Sequence, residues 1–391
     1  MQKKVVCNRS FAILPWFETP AVVVHRPTLD RNIARMAALA ADAKVALRPH
    51  VKAHKTVEIA RRQRMAGTQG ITVAKLGEAE VFAEAGFRDI TVAYPVISAV
   101  KRDRLAALAA RARVTTVADD LEQVDLLARM AEERAVTVGL WLKVDTGLHR
   151  CGIPTAEEDR AAAVVSRILL WEKRWREEPG GGVYFAGLLT HAGHAYGAES
   201  KEEVEAIAES EGEQLAALKK ALQMRGLPTP ALSAGSTPTA ARVSKVPGIS
   251  EIRPGNYVFN DRTQVRLGVA NPEDCSLRVV ARVVSRPTPD RCVIDAGSKT
   301  LALDQGAHGS SGLEGFGVLC GKEGLRVTRL SEEHGVIERP NSRVELPRVG
   351  EVVELIPNHA CPVVNLTRRL GVVGEAGWEG WWSVDAQGRV E

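Results

Sequence analysis

Close cysteine spacing is missing from this 391-residue chain, whose six cysteines are scattered singly. With no apolar leader either, a secreted disulfide framework is not expected, and the reducing cytoplasm is the expected compartment. No apolar run approaches the roughly 20 residues that span a bilayer, so no membrane partner is expected. Charge of one sign is not in excess: 52 basic and 48 acidic residues are interspersed, giving a formal net charge of +4. Basic runs such as those at 61–64 and 172–176 lie in helix-patterned segments and read as solvated faces, so no nucleic-acid partner is expected. Low-complexity tracts are absent as well. What is present is enough apolar residue, 45% of the chain, to bury a large core.

From about residue 19 to residue 260, short β-branched runs alternate with longer amphipathic stretches. "AVVV" precedes "TLDRNIARMAALAADA", "KVAL" precedes "KTVEIARRQRMAG", and the alternation continues through "GITV", "DITVAYPV", "RVTTVA", "VTVGLWLKV", "FAGLLTH" and "PALSAG". Eight such units predict a (β/α)8 barrel over residues 19–265. Beyond residue 265 the pattern becomes short alternating runs broken by Gly and Pro, which predicts a β-rich domain over 266–391, with residues 1–18 packed against it.

In such a barrel, chemistry sits at the carboxyl ends of the strands, and the unusual polar segments of this chain fall there. "ALRPHVKAHKT" (46–56) sets Arg48, His50, Lys52 and His54 at alternate positions, which on a strand share one face, with Lys55 behind them. Either this is a solvated strand edge, or one lysine has a pKa lowered by its cationic neighbours and is the amine of a Schiff base. Gly235, Ser236 and Thr237 in "SAGSTPTA", and Gly255, Asn256 and Tyr257 in "RPGNYVFND", supply amides and hydroxyls that suit an anion. Arg150 in "DTGLHRCG" either reaches the barrel mouth or faces solvent after a helix cap. "THAGHAY" gathers His191, His194 and Tyr196 into one loop, where an aromatic ring could contact a cofactor. In "PNHACP", His359 and Cys361 would share a face of a strand, an imidazole and a thiolate suited to Zn²⁺ with water or substrate completing the coordination, or else a buried structural pair.

Taken in order, "RPHVKAHKT", "KLGEAE", "DTGLHRCG", "THAGHAY", "GSTPTA", "RPGNY", "SEEHG" and "PNHACP" resemble the D-serine dehydratase and D-threonine aldolase family across nearly the whole chain. The resemblance implies a fold-type III architecture like that of alanine racemase, with pyridoxal 5′-phosphate (PLP) and a divalent metal. It makes Lys52 the Schiff-base lysine and Lys55 a bystander, sets Arg150 near the cofactor's phenolic oxygen and Tyr196 against the cofactor, and places the phosphate among Ser236, Thr237, Asn256 and Tyr257. His359 and Cys361 become the metal pair. A thiolate ligand favours Zn²⁺, with Mn²⁺ or Mg²⁺ as alternatives. A homodimer is expected on the same ground. Glu333 and His334 of "SEEHG" are assigned no role beyond a place near the site.

The resemblance implies a lyase for D-3-hydroxy amino acids such as D-serine, D-threonine or D-threo-3-hydroxyaspartate. His-x-Cys and "GSTPTA" are more like the dehydratase branch, which releases a 2-keto acid and ammonia, than the aldolase branch, which releases glycine and an aldehyde. A racemase would need a tyrosine base from the β domain, but the four tyrosines all lie at or before Tyr257. A non-catalytic PLP-binding protein would need neither the second domain nor the His–Cys pair.

Overall fold

The computed structural model describes residues 17–178, 180–307, 312–322 and 324–391. The expected packing of the N-terminal segment therefore lies almost wholly outside the described residues.

Strand β1 (Ala21–His25) and helix α1 (Arg26–Asp42) open the chain. They are followed by strands β2 (Ala46–Leu47), β3 (Ile71–Val73), β4 (Asp89–Val92), β5 (Arg113–Ala118), β6 (Thr137–Asp145), the short β7 (Ile153–Pro154), β8 (Gly182–Leu189), β9 (Leu232–Ala234) and β10 (Glu251–Ile252). Between them run α2 (Val57–Met65), α3 (Leu76–Glu84), α4 (Ala99–Ala109), α5 (Leu121–Glu133), α6 (Glu158–Glu177), α7 (Lys201–Met224) and α8 (Ala240–Val243). The parallel order is β2-β10-β9-β8-β6-β5-β4-β3, with β7 beside β6. Its two ends meet where the Gln69 and Thr72 amides donate to the carbonyls of Leu47 and Pro49 at 2.9 and 2.8 Å, so the ring closes into a barrel. Strand β6 is buried from Val138 to Val144, Lys143 included, because both faces are covered, by the barrel interior and by the helix layer.

The eight-strand count is right, but one member differs from expectation. "AVVV" is not a barrel strand: β1 pairs antiparallel with β11 (Leu277–Thr288) and parallel with β17 (Arg369–Gly374) in the second sheet. The eighth barrel strand is β10, whose two residues carry no periodicity. An all-apolar strand followed by an amphipathic helix has the same local pattern in either sheet, so only pairing distinguishes them.

The second unit is a nine-stranded sheet. Besides β1, β11 and β17 it contains β12 (Arg291–Ile294), β13 (Gly317–Leu319), β14 (Val327–Leu330), β15 (Gly335–Glu338), β16 (Val352–Pro357) and β18 (Gly377–Ser383). Short helices α9 (Arg262–Arg266), α10 (Ser298–Leu301) and α11 (Ala360–Leu366) accompany it. Its core takes in Leu29 and Ile33 of α1, Tyr257 and Val258, and Ala360, Val363 and Val364 of α11. Burying Val363 and Val364 contributes about 1.5–3 kcal/mol each, which holds α11 in this core beside the 51–53 turn at the barrel mouth. Among the described residues no helix is long and apolar enough to cross a membrane.

Candidate active site

A cavity of about 480 Å³ opens at the carboxyl ends of the barrel strands, walled on the far side by α11. Lys52 sits on one wall, in a single 3₁₀ turn (Val51–Ala53) that follows β2, not on a strand. The turn separates the alternating cations. Arg48 points to the opposite end of the barrel, where its Nε lies 2.7 Å from Glu251 and one amino group 2.7 Å from Asp89. His54 is buried away from the cavity, its Nε2 facing Gln63 Oε1 at 3.2 Å and its Nδ1 accepting the Thr56 amide at 3.1 Å. Only His50 and Lys52 of the four face the site. The expectation of a single cationic wall is corrected, because the chain leaves the extended conformation at residue 51.

Lys52 and Lys55 differ in partners. Lys55 Nζ donates to Asn365 Oδ1 at 2.8 Å and lies 3.4 Å from buried Glu78, which itself accepts the Ala74 and Lys75 amides at the start of α3. Burial pushes the Lys52 amine down from its ordinary pKa; the charge of Arg150 adds to this, while Cys361 and Glu78 oppose it. That gives "KLGEAE" a role, since Glu78 neutralises Lys55 and leaves Lys52 the available amine.

The segments expected to hold an anion converge on the same cavity, with some of their groups already engaged. Gly235 adopts φ +88°, and its amide, like that of Ala192, donates to Glu211 Oε1 on α7, at 3.1 and 3.0 Å. The Ser236 amide donates to Thr239 Oγ1 at 2.8 Å. Tyr257 departs from expectation: its amide is given to Thr237 Oγ1 at 3.1 Å, and its phenol accepts from Gln63, behind the cavity wall. What remains for an anion is the hydroxyls of Ser236 and Thr237 and the Asn256 side chain. Gly255 has a steric reason to be glycine, since a Cβ there would lie 2.8 Å from the His50 carbonyl oxygen. Asn256 Nδ2 donates to Asp261 Oδ2 at 2.6 Å, and the same oxygen accepts the Ala360 amide at 2.9 Å, tying the anion cradle to the start of α11.

Tyr196 and His191 line the cavity, whereas His194 lies over Gly147. Burial first, then the charge of Cys361, pushes the Tyr196 phenol up, and Thr237 and Gln264 are within its hydrogen-bond reach, so it is a neutral donor. Burial lowers His50 and His191 well below the usual imidazole range, and the charge of Lys52 adds to it. Arg150 is exposed and outside the lining, but its charge is felt at Lys52, His50 and His191.

His359 and Cys361 are not strand neighbours. β16 ends at Pro357, His359 caps α11, and Cys361 lies in its first turn, where the two side chains still meet facing Lys52. Although burial opposes it, the Cys361 charge and the Asp304 hydrogen bond push His359 up to about 10. Asp304 Oδ2 stands 2.8 Å from His359 Nδ1, which holds a proton on Nδ1 and turns Nε2 toward the thiol. Among the described residues no third His, Cys, Asp or Glu joins them. The pair fits a metal held by one nitrogen and one sulfur, with the remaining positions open.

Sequence reasoning missed Asp304, Asp261, Glu211 and Arg253. Asp304 and Glu211 are distant in sequence from the groups they hold, whereas Arg253 and Asp261 stand at the two ends of the quoted "RPGNYVFND", and Arg253 lines the cavity. Buried Lys143, pushed down to about 8 by burial and then by Arg253, was also not singled out. Glu333 and His334 are exposed in the β14–β15 turn, with Glu333 paired to Lys299 at 2.8 Å, and neither lines the cavity.

The neutral state of His54 has a measurable consequence. Its folded pKa is about 3 against an ordinary 6.5, so between those values the unfolded chain binds the extra proton and stability rises with pH. Acidification from pH 7 to pH 5 should therefore cost stability, and His54→Gln should reduce that loss by about 1–2 kcal/mol in urea unfolding. An unchanged loss in the variant would show that His54 does not titrate this way.

Comparison with known proteins agrees with this fold. The alanine racemase N-terminal domain matches residues 24–263, and the serine dehydratase domain matches residues 276–373. D-threo-3-hydroxyaspartate dehydratase from Delftia sp. is 34% identical over 88% of this chain and 91% of its own, and D-threonine aldolase from Arthrobacter sp. is 30% identical over 95% and 93%. The crystal structure of D-threonine aldolase from Filomicrobium marinum superposes with a TM-score of 0.86 at 28% identity, covering 100% of this chain and 99% of that one. A cysteine-to-alanine variant of D-threo-3-hydroxyaspartate dehydratase, in the metal-free form, superposes with a TM-score of 0.86 at 31% identity over 94% and 98%.

Proposed function

Because this chain belongs to the family that joins an alanine racemase N-terminal domain to a serine dehydratase domain, and is a lyase of D-3-hydroxy amino acids, we propose that it is a metal-assisted D-3-hydroxy amino acid dehydratase. The observation that carries the proposal is the approach of two unlike groups in one cavity: the Lys52 amine and the His359–Cys361 pair, close enough that the Cys361 charge is felt at Lys52. The similarity to a dehydratase at 34% identity supports it.

When bound, pyridoxal phosphate supplies an electron sink for a carbanion at Cα and a divalent cation supplies a Lewis acid for a β-hydroxyl. Lys52 would hold the cofactor, with its phosphate toward the hydroxyls of Ser236 and Thr237 and the side-chain amide group of Asn256, all on the cavity lining. His359 and Cys361 would hold the cation; the thiolate favours Zn²⁺ over Mg²⁺. Burial keeps the Lys52 amine easily deprotonated, so Nζ takes the proton from Cα. The hydroxyl leaves Cβ from the side of α11, and the enamine product hydrolyses to a 2-keto acid and ammonia. His50 and His191, both neutral, add no competing charge at the reacting carbons. A homodimer and a place for Arg150 beside the cofactor's phenolic oxygen belong to the same proposal.

Those neutral imidazoles also favour a second reading, since either could take the proton of a β-hydroxyl and direct cleavage of Cα–Cβ, as in an aldolase. D-threonine separates the two. With Zn²⁺ and cofactor present, 2-oxobutanoate and ammonia are the expected products; glycine and acetaldehyde as the main products would make the chain an aldolase.

A further inference from the structure

Below the cavity floor, the inside of the barrel holds a continuous polar chain where barrels of this kind are ordinarily filled with apolar side chains. Arg253 lines the cavity and donates one amino group to the Thr190 carbonyl and the other to Ser233 Oγ. Ser233 Oγ donates in turn to Glu251 Oε1. Glu251 Oε2 accepts Arg48 Nε at 2.7 Å, and Arg48 ends on Asp89 at 2.7 Å. Arg253, Ser233, Glu251 and Arg48 are all buried, while Asp89 is 32% exposed at a separate cavity of about 710 Å³ at the amino-terminal end of the barrel. The chain thus runs from the active cavity to the opposite mouth.

We propose that Glu251, acting through Ser233, is a positioning residue that fixes the Arg253 guanidinium at the floor of the active cavity. The inference rests on the reading of that cavity as the cofactor pocket.

Burying two guanidiniums inside a barrel costs several kcal/mol per ion unless each is answered by a carboxylate. Arg48 is answered by direct contact with two carboxylates, whereas among the contacts described above Arg253 meets a hydroxyl and a carbonyl, and the Glu251 charge reaches it across Ser233. This asymmetry makes Ser233 Oγ the hydrogen-bonded link between Glu251 and Arg253, since it donates to one and accepts from the other, while the charge of Glu211 is also felt at Arg253. The adjacent floor groups are charge-sensitive: the Arg253 charge depresses the basicity of His50, Lys143 and His191. A misplaced guanidinium would therefore alter the field at the bound cofactor, not merely loosen the fold.

The test uses the full-length protein with Glu251→Gln, which keeps the shape and removes the charge, and Ser233→Ala, which removes only the link and leaves the Arg48–Glu251 pair intact. Pyridoxal phosphate affinity of the apoprotein, the visible absorbance of the holoprotein, kcat on D-serine and thermal stability are measured together. Each variant is expected to raise the cofactor dissociation constant about 5- to 50-fold, shift the absorbance maximum and lower kcat about tenfold. If Glu251→Gln does not fold, Ser233→Ala carries the test alone. Unchanged cofactor affinity and spectrum in Ser233→Ala, with only a lower melting temperature, would overturn the inference and leave the chain a structural network. A wild-type protein that holds no pyridoxal phosphate would instead overturn the reading of the cavity, and the inference with it.

Discussion

Replacing Lys52 with alanine should lower turnover of D-serine by about 10³-fold or more, because one amine serves both to hold the cofactor and to take the α-proton. Borohydride reduction of the wild-type holoprotein should leave the pyridoxyl label on the peptide containing Lys52. Lys55 stands three residues away and is also an amine, so it is the control that gives the result meaning. Its Nζ is committed to Asn365 and Glu78. Lys55→Met strands the Glu78 carboxylate, which is only 2% exposed, and should cost about 1–3 kcal/mol of stability while turnover stays within about tenfold of wild type. Label on Lys55, or equal losses of activity from both substitutions, would reverse the assignment of the two lysines.

The second large effect falls on His359 and Cys361, the proposed metal pair. Cys361→Ala and His359→Ala should each remove most of the bound zinc and lower kcat about 10²- to 10⁴-fold, since two protein ligands leave no redundancy when one is lost. Asp304→Asn is the finer probe. The Asp304 carboxylate meets His359 at its far nitrogen, Nδ1, at 2.8 Å, so its loss should weaken metal affinity by about 10- to 100-fold and be compensated by added zinc. Metal content is read by elemental analysis and activity by keto-acid release. Full activity in metal-free Cys361→Ala would mean that the hydroxyl leaves without a cation.

Much of this site could be read from the chain, because its groups sit in short local motifs at strand ends. Lys52, Ser236, Thr237, Asn256, Tyr196, His359 and Cys361 lie around one cavity although they span more than three hundred positions of the sequence. Geometry was less legible. Alternation suggested strands for 48–54 and for 359–361, but the chain turns into a 3₁₀ turn and a helix N-terminus at those points, so Arg48 and His54 leave the site while His359 and Cys361 still meet. The β1 and β10 exchange has the same cause: pairing partners far apart in sequence decide which sheet a strand joins, and two residues such as Glu251–Ile252 cannot announce a strand. The supporting carboxylates of Asp304 and Glu211 had no local signal, and Asp261 stood inside "RPGNYVFND" without being singled out. Glu211 and Asp304 act on groups 19 and 55 residues away, and Asp261 joins Asn256, five residues away, to the Ala360 amide 99 residues on.

The most direct test of the whole account is D-serine turnover by the purified holoprotein before chelation, after chelation and after zinc is restored, with pyruvate and ammonia measured together. Equimolar pyruvate and ammonia are expected, with loss of most of the rate on chelation while the pyridoxal phosphate stays bound, and recovery with zinc. Undiminished pyruvate release from metal-free holoprotein would contradict it.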